Sequence, residues 1–91
     1  MIPKCQNISV NSSSWTAVSI PEAGCFRQYN LQLRGCGAFY YTDDATQVVF
    51  NTCLGQMGWD SKNPPPMSPD GILYVKCRDA ATDILEITVA N

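Results

Sequence analysis

The chain has 91 residues, a mass of 10.0 kDa and a formal net charge of −2, with its six basic residues spread along its length. A chain of this size buries only about 64% of its unfolded surface, so we expect one small domain, residues 1–91, and no two-lobed enzyme. The dispersed cations argue against binding to nucleic acid, and no apolar run is long enough for a membrane helix or a signal-peptide core.

Strand-forming residue types dominate the composition. Val, Ile, Thr, Phe, Tyr and Trp together number 27, whereas Glu and Lys together number five. Charged residues make up 15% of the chain, below the roughly 25% of an average globular domain. We therefore expect an all-β protein with a largely neutral, polar surface.

Alternation of apolar and polar side chains predicts the individual strands. It is clearest in residues 24–34, where Tyr29, Leu31 and Leu33 share one face and Asn30 and Gln32 share the other. In chain order, strands are predicted at 6–10, 15–20, 24–34, 37–41, 47–54, 72–78 and 83–90. Short polar or glycine-containing connections separate most of them. Seven strands in this arrangement indicate an antiparallel β-sandwich or jelly roll.

Residues 55–71 are predicted to form one long loop. Gly55 and Gly58 lie in its first part and prolines stand at 64–66 and 69, a composition that argues against a regular strand or helix. A loop of this length in a compact domain usually has a function or is disordered.

Trp59, in that predicted loop, is expected to contact another chain with help from Met57. The flanking run Pro64, Pro65 and Pro66 fixes backbone angles and lowers the entropy lost on docking. The alternative is that the loop folds back and Trp59 caps the open end of the sandwich. Ile2 precedes the first strand, and we expect it to belong to an arm on a neighbouring subunit.

The five cysteines leave two interpretations open. Cys5, Cys25, Cys36, Cys53 and Cys77 contain no C-x-x-C pair, and the chain has no histidine, so no metal site is predicted. Their density is typical of a secreted disulfide framework. Their odd number and the missing signal favour small, buried, reduced side chains instead.

The acidic and aromatic residues include candidates for catalysis and for sugar binding. Asp43 and Asp44 fall in a predicted turn without a histidine or another base nearby, so we expect neither an enzyme nor a cofactor. Trp15 with the aromatic run 39–41 suggests a sugar-stacking platform. Consecutive strand residues face opposite ways, however, which favours core side chains with one or two surface rings.

The order of these segments resembles that of small virion proteins of tailed bacteriophages, in particular capsid decoration or cement proteins and related head or tail accessory modules such as a tail or baseplate adaptor. The segments are Trp15-Thr16-Ala17-Val18, Leu31-Gln32-Leu33-Arg34, Phe39-Tyr40-Tyr41, Pro69-Asp70-Gly71-Ile72-Leu73-Tyr74-Val75-Lys76 and Leu85-Glu86-Ile87-Thr88-Val89. The resemblance implies a β-sandwich that forms a homo-oligomer, with a trimer favoured. It also implies docking on the major capsid protein or another virion protein after assembly in the host cytoplasm.

Two functions from different classes follow from the sequence. The first is a non-enzymatic structural protein that decorates and stabilises a phage capsid. The second is a secreted module with disulfides that binds carbohydrate or protein through exposed rings. Titration of thiols in denaturant separates them, because one free thiol favours the secreted module and five favour the virion protein.

Overall fold

The computed structural model describes residues 4–19, 28–46, 50–60 and 71–90. These residues form eight strands and no helix. The strands are β1 (Lys4–Asn11), β2 (Thr16–Ser19), β3 (Gln28–Leu33), β4 (Phe39–Thr42), β5 (Asn51–Cys53), β6 (Gln56–Asp60), β7 (Ile72–Cys77) and β8 (Thr82–Ala90).

The strands make two four-stranded antiparallel sheets. Sheet A has the order β1-β8-β3-β6, and sheet B has the order β2-β7-β4-β5. The pairs β1 with β8, β2 with β7, β3 with β6 and β4 with β5 are those of one long antiparallel ribbon wound on itself. This pairing is the eight-stranded jelly roll. The prediction of an all-β, antiparallel sandwich of the jelly-roll kind is confirmed.

Alternate residues of both sheets supply a single core. Sheet A contributes the buried side chains Val10, Tyr29, Leu31, Leu33, Leu85, Ile87 and Val89, and sheet B contributes Val18, Phe39, Cys53, Leu73, Val75 and Cys77. The period of two in β3, β7 and β8 matches the predicted alternation, because each of these strands has one face toward the core and one toward solvent.

Four connections lie at one end of the sandwich, and carboxylates bond the backbone of the one that joins β3 to β4. The four connections are residues 12–15, 34–38, 54–55 and 78–81. The Asp83 carboxylate accepts a hydrogen bond from the Ile84 N–H at 2.7 Å and lies 3.3 Å from the Gly35 N–H, while Asp79 accepts one from the Ala38 N–H at 3.3 Å. These bonds satisfy backbone donors between β3 and β4 and near the start of β8.

Gly35 has a steric role in that end. A Cβ on Gly35 would lie 2.8 Å from the Asp83 Oδ2, so a larger residue here would displace the carboxylate from its present position. In the same connection Cys36 has a φ of 61°, in the left-handed region, and neither of its neighbouring glycines does.

The strand count differs from the prediction at β6. Residues 56–60 were expected in a loop, yet they pair with β3 from Gln28 opposite Asp60 to Gln32 opposite Gln56. The prolines that argue against a strand begin only at residue 64. Before them, Met57 and Trp59 alternate with polar or glycine positions and reach the core. The part of the predicted loop at 61–70 lies outside the described residues.

Candidate functional site

A row of side chains crosses the outer face of sheet B. Tyr40 lies opposite Lys76 on one side and Thr52 on the other. Trp15 immediately precedes β2, whose first residue pairs with Val75, so the register continues from Tyr40 through Lys76 to Trp15. The outward row therefore crosses the sheet in the order Trp15, Lys76, Tyr40 and Thr52, and two of these residues carry aromatic rings.

Phe50 completes this row by lying across it. Its ring centroid is 4.5 Å from that of Tyr40 and 5.6 Å from that of Trp15. Phe50 is 38% exposed although it contacts two other rings. We call the four residues Trp15, Tyr40, Phe50 and Lys76 the aromatic face.

Lys76 places a positive charge within the aromatic face. Its Nζ is 4.6 Å from the centroid of the Trp15 ring and 5.7 Å from that of Phe50. Both distances suit cation–π attraction, which holds the ammonium against the rings. The surface thus combines apolar area with one fixed cation.

An ion pair between Arg78 and Asp79 lies directly after the end of β7. The Arg78 Nε donates to the Asp79 Oδ1 at 2.9 Å. This hydrogen bond, followed by the one from the Ala38 N–H, lowers the pKa of the Asp79 carboxyl. The pair keeps Asp79 ionised as an acceptor for the neighbouring connection.

The outer face of sheet A carries amides instead of rings. One row across its four strands contains Asn7, Glu86, Gln32 and Gln56. Glu86 forms an ion pair with Arg34, in which the Glu86 Oε2 lies 3.5 Å from the Arg34 Nε. Both side chains are about half exposed. We call Asn7, Asn30, Gln32 and Gln56 the amide face.

Trp59 lies in a strand and not in a loop. Its ring stacks on Tyr29 with centroids 5.1 Å apart and planes at 15°. Trp59 and Met57 are half-buried and pack against the core from the edge strand β6. The prediction that Trp59 lies in a loop is therefore wrong, while its contact with another chain stays a prediction. Ile2, Pro64, Pro65 and Pro66 lie outside the described residues.

Among the cysteines whose side chains the structure describes, Cys36 is an exposed free thiol and Cys53 and Cys77 are buried free thiols. Cys53 and Cys77 both lie opposite Phe39, on strands either side of β4. Two strand spacings of about 4.8 Å put their Cα atoms beyond the span of a disulfide. Burial raises the pKa of both buried thiols, so they stay protonated at neutral pH.

The described residues do not bring potential metal ligands together. They contain no group of three or more acidic, histidine or cysteine side chains that could hold a metal ion. Asp44 stands in the predicted turn, where its carboxylate accepts from the Thr46 N–H at 2.9 Å and the Thr46 hydroxyl at 2.7 Å. Over the same ranges no helix has the length and hydropathy to span a bilayer.

The sequence indicated part of the aromatic face and missed the rest. Trp15 and Tyr40 do lie outward together, while Phe39 is buried and Tyr41 packs against the core, as the alternation predicted. Phe50 and Lys76 were not singled out. Their signal lies in the register, since Lys76 has the outward phase of β7 and Phe50 directly precedes β5.

No protein-family model, curated protein or solved structure matches the chain.

Proposed function

We propose that this chain is a non-enzymatic structural protein of a bacteriophage virion, which docks on the capsid through the aromatic face and stabilises the shell. The observation that carries the proposal is the cluster of Trp15, Tyr40 and Phe50 on the outer side of sheet B. These rings lie on the solvent side of the sheet, away from the core that Phe39 and Val75 fill.

The chemistry of the aromatic face suits a protein partner. Tryptophan and tyrosine dominate the binding energy of protein interfaces when a partner covers them. The rings are tilted to one another, at 66° for Trp15 and Phe50 and 55° for Tyr40 and Phe50. Tilted, mutually packed rings present an uneven apolar surface that a complementary protein surface can fill.

The fold adds support from analogy. Jelly rolls of eight strands recur in viral capsid domains, although the same fold also serves lectins and cupins. Together with the resemblance to decoration proteins, it favours a virion role and a homo-oligomer on a multimeric shell. The major capsid protein is the expected partner.

Co-sedimentation tests the docking. The purified chain is mixed with empty shells of the major capsid protein encoded in the same genome, and bound chain is quantified in the pellet. We expect saturable binding that Phe50→Ser and Lys76→Glu each weaken, while Asn30→Ser on the amide face does not. Absence of binding by the native chain contradicts the proposal.

The exposed rings also favour the second candidate, a secreted carbohydrate- or protein-binding module. Two observations count against it. The rings are tilted to one another by 66° and 55°, whereas a flat sugar-stacking platform needs coplanar rings. The free thiols of Cys36, Cys53 and Cys77 leave at most one bridge within the chain. Binding to an oligosaccharide array, together with fewer than three thiols in denaturant, would favour the secreted module.

A further inference from the structure

The strand β6 forms one edge of sheet A among the described strands. On its other side it pairs with β3 over five residue pairs, Gln28 opposite Asp60 to Gln32 opposite Gln56. An edge strand presents backbone N–H and C=O groups to any strand that approaches, and proteins usually protect such an edge. Strand β6 is short, with five residues, which limits its exposed edge. Its sequence nevertheless has a feature that favours pairing.

Gly58 at the centre of β6 is not required by its own chain. Its φ is outside the left-handed range, and an added Cβ would meet the Tyr29 carbonyl oxygen at 3.5 Å and the Asn30 Oδ1 at 3.8 Å, both ordinary contacts. Glycine weakens a strand interior and often marks a close approach by another backbone or a ligand. The exposed position of Gly58 on an edge strand fits the close approach of another backbone.

We propose that β6 pairs antiparallel with β6 of a second copy, around a two-fold axis at Gly58. The sequence Gln56-Met57-Gly58-Trp59-Asp60 is self-complementary in this register. Gln56 then lies opposite Asp60 of the other copy, and Met57 lies opposite Trp59, each pair occurring twice. An isologous contact of this kind requires that a surface complement itself.

Both kinds of pair are chemically favourable. The Gln56 amide donates to a carboxylate, whose two oxygens have about four acceptor positions, so partners within its own chain do not prevent the contact. On the other side of the strand, the Met57 sulfur meets the Trp59 ring, a favourable sulfur–aromatic contact. Met57 and Trp59 are only half-buried in one copy, and the second copy covers their remaining apolar surface.

The inference rests on the self-association included in the proposed function and gives it a geometry. Two sheets A join into one sheet of eight strands, and the product is a dimer. The resemblance to decoration proteins implies a trimer, so the two geometries differ in a property that can be measured.

Cross-linking tests the position of the axis. In a Cys36→Ser background, Gly58→Cys places two thiols across the two-fold, where opposite Cα atoms of an antiparallel pair are about 4.5–5.5 Å apart and within disulfide range. Mild oxidation is expected to give a dimer on a non-reducing gel. Asn30→Cys, one strand further in on the same outer face, is the matched control and is expected to stay monomeric on the gel. Equal cross-linking of the two variants, or none for Gly58→Cys, overturns the proposal.

Changes of charge at Gln56 and Asp60 test the register. The mass of the particle in solution is measured by sedimentation velocity over a range of concentrations. Gln56→Asp places carboxylates opposite each other twice and is expected to weaken dimerisation about tenfold, whereas Gln56→Lys should strengthen it in low salt. Gln56→Asp combined with Asp60→Lys is expected to restore the dimer. A trimer, a monomer at every concentration, or an unchanged dimer with Gln56→Asp contradicts β6 pairing. Shell binding is measured separately, so a native monomer that still docks leaves the docking proposal standing, and a dimer that does not dock leaves β6 pairing standing.

Discussion

Both outer faces of the sandwich consist of the outward-facing, alternate residues of their strands, but the two faces differ in chemistry. Sheet A presents the amide face beside the exposed ion pair of Arg34 and Glu86. Sheet B presents three rings in contact and one lysine held against them. Amides and ions lose their hydration when a partner covers them, whereas half-exposed rings gain from being covered. The comparison therefore supports the proposal that docking uses the outer face of sheet B.

The largest effect on stability is expected within β4, where Phe39 faces the core and the next residue, Tyr40, faces solvent. Phe39→Ala opens a cavity in a side chain that is fully buried, and we expect a loss of about 3–5 kcal/mol in the free energy of unfolding. Tyr40→Ala on the aromatic face should cost about 1 kcal/mol, since only ring contacts are lost. Urea unfolding followed by circular dichroism measures both. Similar losses for the two variants mean that Tyr40 is part of the core.

The next effect concerns docking. Phe50→Ser removes the ring that joins Tyr40 to Trp15, and we expect a loss of about 2 kcal/mol in shell binding, or about thirtyfold in Kd. Asn30→Ser, in β3 on the opposite outer face, should change Kd less than twofold. Titration of labelled chain against shells gives both values. If Asn30→Ser has the larger effect, the assignment of the two faces is reversed.

A smaller effect is expected from the cation on the aromatic face. Lys76→Met keeps most of the apolar stem but removes the charge over Trp15, and we expect a loss of about 0.5–1 kcal/mol in unfolding free energy. Lys76→Arg is the matched control, since it keeps a cation that can lie on the ring. A loss with Lys76→Arg as large as that with Lys76→Met shows that the charge contributes nothing.

The smallest effect belongs to sheet A. Arg34→Met breaks an exposed ion pair, and the unfolding free energy should change by less than about 0.5 kcal/mol, with the change vanishing in 1 M salt. The free energy is measured by urea unfolding at low and high salt. A loss above 1 kcal/mol that persists in salt indicates that Arg34 packs as well as pairs.

Much of the fold was predictable because its signal is local. Alternation in β3, β7 and β8 gave the correct inward residues, since a period of two depends only on the strand's own sequence. Strand β6 was missed because Gly58 and the later prolines were read as one segment. The pairing of Met57 and Trp59 with β3 is a tertiary feature that composition does not contain.

The candidate site was less predictable for a similar reason. Trp15 and Phe50 are separated by the whole of β2, β3 and β4 in sequence, and only the winding of the jelly roll brings their rings to 5.6 Å. The outward phase of Tyr40 was predictable from Phe39 being inward. That Phe50 lies over Tyr40 depends on the register of β4 with β5, which no local pattern fixes.

The most direct measurement of the docking surface uses Trp15 as a reporter. Trp59→Phe keeps a ring against Tyr29 and leaves Trp15 as the one tryptophan of the chain. Its fluorescence quenching by acrylamide is recorded with and without saturating shells. Docking through the aromatic face predicts that bound chain shows markedly lower quenching of Trp15. Unchanged quenching in chain that sediments with the shells contradicts docking through sheet B.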